Sequence, residues 1–130
     1  MKCMFFLITL AVCLTACDRQ PSPSFSSDAE VHKKLVGTWR EENGKRYCIW
    51  VFDSNGNYGA QSDGIRNVTE EGTWIVKDRI LKETRTKSNR TDAVLPSIAR
   101  YIIVRLDDRE LVMRLEERPE IAVVYRKEMK

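Results

Sequence analysis

"RYIIVRLDDRELVMRLEERPEIAVVYRK", Arg100 to Lys127, consists of three β-type runs separated by two polar breaks. In the middle run, "ELVMRLE", Leu111, Met113 and Leu115 fall on one face and Val112, Arg114 and Glu116 on the other. A period of two is that of a strand with one face in a core and one in water. The breaks "DR" and "RP" are too short for a crossover, so the neighbouring runs must pair antiparallel through tight turns. The preceding "IARYIIV" is apolar on both faces, as suits a strand covered on both sides.

The same pattern extends toward the N-terminus and defines eight candidate strands: Leu35 to Glu41, Tyr47 to Asp53, Asn57 to Ser62, Gly72 to Lys77, Ile80 to Lys87, Ile98 to Asp107, Glu110 to Glu117 and Glu120 to Lys127. The connections "ENGK", "DSNGN", "DGIRNVTEE", "DR" and "SNRTDAVLP" are dense in the residues that turns favour. An eight-strand meander with no strand left over can close on itself and remove its exposed edges. The expected fold is therefore all-β, an up-and-down antiparallel eight-stranded barrel over about residues 33–130.

A barrel of this size has an interior that side chains just fill or that holds one small ligand. Alternation nominates Trp50, Phe52, Tyr58, Trp74, Tyr101, Met113 and Tyr125 as inward-facing, either walling a cavity or filling a solid core. Ser88 to Ser97 is the longest connection of the second half and the expected mouth or lid.

At the start of the domain "LVGTW", Leu35 to Trp39, resembles the Gly-x-Trp signature on the first strand of lipocalins and lipocalin-like lipoproteins. The resemblance implies that Gly37 allows close approach at a closed end, that Trp39 plugs the barrel floor, and that Arg126 in "VVYRK" lies across the indole. Such a cation over a ring is worth about 0.5–2 kcal/mol, a structural role and not a catalytic one. A second "GTW", Gly72 to Trp74, opens a strand-turn-strand and reads as a recurring hairpin solution.

The N-terminal region has a different composition. Lys2 is followed by Cys3 to Leu14, in which Thr9 alone is polar. That run is too short to cross a hydrocarbon core of roughly 30 Å as a helix, and it fits a secretory signal over residues 1–16. The residues "LTAC", Leu14-Thr15-Ala16-Cys17, resemble the lipobox of bacterial lipoproteins, in which the cysteine is lipidated before cleavage. The resemblance implies a Cys17 thioether anchor, and it implies that Asp18 acts as a sorting signal holding the protein at the periplasmic face of the inner membrane, with the outer membrane as the other destination. Residues 17–32 form the expected lipidated cysteine and tether, in which the Pro- and Ser-rich stretch from Asp18 to about Glu30 reaches on the order of 40 Å as an extended chain. His32, the single histidine, reads as a solvated residue of that tether, beside "DAEVHKKL", which has the makings of one helical turn.

With Cys3 and Cys13 in the signal and Cys17 acylated, Cys48 is left without an internal partner. It is a small buried hydrophobe, an intermolecular disulfide or a reactive thiol. The chain carries 22 Lys and Arg against 19 Asp and Glu, interleaved as on a mixed solvated surface, which argues against nucleic acid as a partner. No metalloprotease, nucleophile-elbow or phosphate-loop motif is present, and the paired carboxylates sit at strand ends, so the expectation is neither an enzyme nor a metal or cofactor protein. Two functions remain: a periplasmic binder of a small apolar or amphipathic ligand, or a protein-binding lipoprotein (an inhibitor, immunity or envelope-complex accessory protein) that uses the barrel surface.

Overall fold

The computed structural model describes residues 27–42, 47–63 and 67–129. The signal sequence, the lipobox with Cys17, and Asp18 lie outside the described residues. Among the described residues one helix, α1 (Asp28–Leu35), precedes eight strands: β1 (Gly37–Glu41), β2 (Tyr47–Phe52), β3 (Asn57–Asp63), β4 (Val68–Lys77), β5 (Ile80–Ser88), β6 (Ser97–Leu106), β7 (Glu110–Leu115) and β8 (Arg118–Lys127). They form a closed barrel in sequence order, and every neighbouring pair is antiparallel. Closure is made by β1 against β8, where Trp39, Arg40 and Glu41 face Lys127, Arg126 and Tyr125.

Three turns at one end are organised by aspartates or by left-handed backbone. Asp53 Oδ1 accepts from the Asn55 and Asn57 N–H groups at 2.8 and 2.9 Å, and Asp107 Oδ1 accepts from Arg109 and Glu110 at 2.8 and 2.7 Å. Between β4 and β5 both central residues, Asp78 and Arg79, take positive φ (52° and 66°), the combination that matches a two-residue loop to strand twist.

This end is closed by α1. Ser27 caps the helix by accepting the Glu30 N–H at 3.2 Å, and acids in the first turn and bases in the last complement its dipole. Val31 and Leu35, four residues apart, share one face and are buried. Burying each contributes about 1.5–3 kcal/mol. The helix is tied down by polar contacts: Trp39 Nε1 donates to Leu35 O at 2.7 Å, Lys127 Nζ donates to Lys34 O at 2.7 Å, and the Asp78 N–H donates to Asp28 Oδ1 at 3.1 Å.

Several sequence expectations are corrected here. The stretch expected as one helical turn is an eight-residue helix, and Leu35 ends that helix instead of opening β1. Residues 28–32, expected in the tether, pack on the barrel. His32 is no solvated linker residue: its ring stacks on Trp74 with centroids 4.3 Å apart, and Nε2 lies 3.4 Å from Ser54 O. The cation over the fully buried Trp39 is Lys127, its Nζ 5.0 Å from the ring centroid, and not Arg126. Strand alternation is the reason. Tyr125 and Lys127 share the inner face of β8, which turns Arg126 outward to pair with Glu42 at 3.0 Å and Glu110 at 2.7 Å.

Candidate functional site

Strand direction places the β5–β6 loop and the β7–β8 hairpin at the end opposite α1. Asn89 pins the start of that loop, its Oδ1 accepting from the Thr69 N–H at 2.9 Å and its Nδ2 donating to Asn67 O at 2.7 Å. The expected mouth loop, Ser88 to Ser97, is thus at the end opposite α1.

The aromatic interior is graded from one end to the other. Near α1, Phe52 meets Trp74 edge-on at 5.2 Å beneath His32. Trp50 is the hub of the middle, within 5.4–6.4 Å of Phe52, Tyr58, Tyr101 and Tyr125. Toward the end opposite α1 the packing gives way to a cavity of about 220 Å³ lined by Tyr101, Met113, Leu115, Val123 and Tyr125, with Ile121 and Arg118 also on its lining. All seven nominated residues face inward, but Tyr101, Met113 and Tyr125 alone reach this cavity. Trp50, Phe52, Tyr58 and Trp74 fill the solid lower part. Leu115, Val123, Ile121 and Arg118 were not nominated, although the alternation of the β7–β8 hairpin carries the signal for the first two.

A larger depression of about 480 Å³ lies on the outside of the barrel, where Gly59 leaves a gap between Val51, Asp53, Glu71, Thr73 and Lys87. It is wide open to water and bordered by charged side chains. The mouth cavity is the better ligand site, because enclosure by apolar walls is what retains a small molecule.

Opposite the apolar wall, the inner face of β4–β5 carries Glu70, Glu83 and Arg85 beside its core residues, which sequence reasoning missed. In "ILKETRTK" the alternation that points Leu81 inward also points Glu83 and Arg85 inward, and Glu83 is only 3% exposed. Arg85 Nε lies 2.8 Å from Glu70 Oε2. Gly72, between Tyr58 and Arg85 in the register, makes this assembly possible. A Cβ there would come within 2.8 Å of Tyr58 Cε1 and 2.1 Å of Thr84 O.

Burial pushes the Glu83 carboxyl up to about 8, Arg85 opposing and Glu70 adding to the effect. Burial, then the Glu83 charge, raises Tyr58 to about 12, and the same two causes raise Tyr101. Cys48 is a half-buried free thiol whose Sγ accepts from Trp50 Nε1 at 2.8 Å, and burial pushes it up to about 11. Among the described residues no three His, Cys, Asp or Glu side chains come together as a metal site requires. The chain matches no protein-family model and none of the curated proteins.

Proposed function

We propose that this protein is a membrane-anchored lipoprotein of the bacterial envelope whose lipocalin-like barrel binds a small apolar or amphipathic molecule at its mouth, without chemistry of its own. The observation that carries this reading is the apolar cavity at the end opposite α1, set on a packed aromatic floor. Its size limits the ligand. A dry cavity of about 150 Å³ accepts benzene, and drug-sized ligands need roughly 300–1,000 Å³. A site of about 220 Å³ therefore takes one ring or a short alkyl segment, with any larger remainder at the rim beside Arg118.

The lipobox resemblance at Leu14–Cys17 and the Pro/Ser-rich stretch after it support an anchored domain standing off the membrane, and Asp18 supports the periplasmic face of the inner membrane. Mass spectrometry of lipids that co-purify with the protein tests the binding reading. A recurrent small amphiphile is expected in the parent and missing from Met113→Trp, which fills the cavity; no enrichment over a control lipoprotein refutes it. For the anchor, Cys17→Ser should abolish incorporation of a palmitate analogue, and Asp18→Ser should move the protein to outer-membrane fractions. Equal label in Cys17→Ser, or a parent already in the outer membrane, refutes the respective assignment.

A further inference from the structure

The alternation that turns Trp74, Leu81 and Tyr101 inward turns Ile75, Lys77, Ile80, Lys82 and Arg100 outward, onto the wall of β4–β6. Register sets Ile75 beside Lys82 and Lys82 beside Arg100. These five side chains border a notch of about 220 Å³ whose lining Asp78 completes. Ile75 is 58% exposed, and Ile98, farther up β6 on the same outer face, is 61% exposed.

The lysines of the notch are not neutralised. Among the described residues neither Lys77 nor Lys82 makes an ion pair, whereas elsewhere on the wall Arg40 pairs with Glu128, Lys87 with Glu71 and Arg126 with Glu42. Arg100 is engaged by Glu116, so Lys77 and Lys82 face the single carboxylate of Asp78 and the notch stays cationic. A lone exposed isoleucine is ordinary on any surface. Isoleucines grouped around unpaired lysines in a notch fit a partner that is apolar and anionic at once.

The chain enters α1 at the edge of this notch, where the Asp78 N–H donates to Asp28 Oδ1 at 3.1 Å. Residues 18–26 separate Cys17 from the Ser27 cap, a stretch that spans at most about 35 Å. A lipid on Cys17 therefore keeps this face, more than the mouth at the far end of the barrel, close to the bilayer.

We propose that the outer face of β4–β6 is a membrane-contact surface, with the phosphate of an anionic phospholipid in the notch between Lys77, Lys82 and Arg100 and with Ile75 and Ile98 against the lipid. This goes beyond the mouth-ligand reading and rests on the lipid-anchor reading. A zwitterionic head group carries its own cation to the lysines, and a phosphatidylglycerol head group does not. Each lysine near an anionic leaflet strengthens binding roughly fivefold.

Full-length lipidated protein in nanodiscs doped with spin-labelled lipid tests the surface, with isoleucine methyl NMR signals as reporters: Ile75 and Ile98 on the proposed face, Ile49 on β2 and Ile121 on β8 as controls. In discs containing phosphatidylglycerol, Ile75 and Ile98 are expected to broaden at least threefold more than the controls. The excess should disappear in phosphatidylcholine discs, in 1 M salt, where the screening length is about 3 Å, and in Lys77→Gln/Lys82→Gln; Lys77→Arg/Lys82→Arg should keep it. Equal broadening of all four signals, or an excess indifferent to lipid charge and to the glutamine variant, overturns the proposal. A saturable shift of Ile75 and Ile98 by poly-glutamate, with no excess in phosphatidylglycerol discs, overturns it in favour of an acidic protein partner. Intact mass reads the acyl chains on Cys17 separately. If they are missing the anchor reading fails, and sedimentation of that unacylated chain with vesicles decides the surface: binding to phosphatidylglycerol over phosphatidylcholine, weakened at least tenfold in the glutamine variant, upholds it, and no such preference overturns it.

Discussion

Replacing Glu83 by Gln should remove a large part of this protein's sensitivity to alkaline pH. In the fold the carboxyl is carried from 4.5 up to about 8, chiefly by burial. The unfolded chain gives up this proton near 4.5, whereas the fold retains it until about 8. Between those values the native state holds the extra proton, and stability falls as pH climbs through the window. A tenfold difference in proton affinity is worth about 1.4 kcal/mol, so the loss between pH 5.5 and 8.5 comes to about 3 kcal/mol. Against a typical total of about 5–15 kcal/mol that is a large fraction. The amide variant has no proton to lose. Its stability relative to the parent should rise by about 3 kcal/mol across the same interval. The charged and titratable groups facing Glu83, namely Glu70, Arg85, Tyr58 and Tyr101 with Glu41, Cys48 and Tyr125 farther along the lumen, are common to both proteins and largely cancel in the comparison. Guanidinium unfolding followed by tryptophan fluorescence at pH 5.5 and 8.5 measures the gap. A gap that stays constant within about 0.5 kcal/mol, the scale of an ordinary surface substitution, would refute the assignment of Glu83 as a buried neutral acid.

Three further outcomes follow from the packing. Trp39→Ala should cost about 3–5 kcal/mol in chemical denaturation, as expected for emptying a buried aromatic site; Lys127→Met should cost about 1–2 kcal/mol through the lost cation–π contact and the lost hydrogen bond to Lys34 O, and Arg126→Ala about 1 kcal/mol, because the guanidinium is half exposed and the buried Glu110 keeps its pair with Arg105. Gly72→Ala should lower stability by about 3 kcal/mol or more, since the new methyl would run into the Thr84 carbonyl; an unchanged melting temperature would show that the β4–β5 pairing, whose register shifts between Glu71 and Gly72, can absorb it. Cys48, pushed up to about 11 from 9.0, holds roughly a hundredfold less thiolate than a free thiol, so iodoacetamide should label it far more slowly in the native protein than after unfolding, as mass spectrometry would follow.

The barrel was legible from local pattern because a period of two and two-residue breaks leave an antiparallel meander no other way to close. Inward positions such as Trp50, Met113 and Tyr125 followed from the same period. What escaped that reading depended on contacts between distant segments. Helix α1 carries only two apolar residues on its buried face, too few for an amphipathic signal, and it forms because the open end of the barrel covers Val31 and Leu35. His32 reads as solvent-exposed until Trp74, 42 positions away, lies against it.

Glu83 and Arg85 show the limit most plainly. In "ILKETRTK" the pattern states that Leu81, Glu83 and Arg85 share a face, but charge argues for water and the neighbouring leucine for the core. Closure of β1 on β8 settles the conflict, because it gives every strand one inner face and leaves no second place for Glu83 to point. Period and turn length are properties of neighbouring residues and are written along the chain. The division of the lumen into a packed floor, an apolar mouth and a polar wall arises only when eight strands at fixed stagger bring side chains far apart in sequence to one level, and that depends on the summed volumes and charges of all of them.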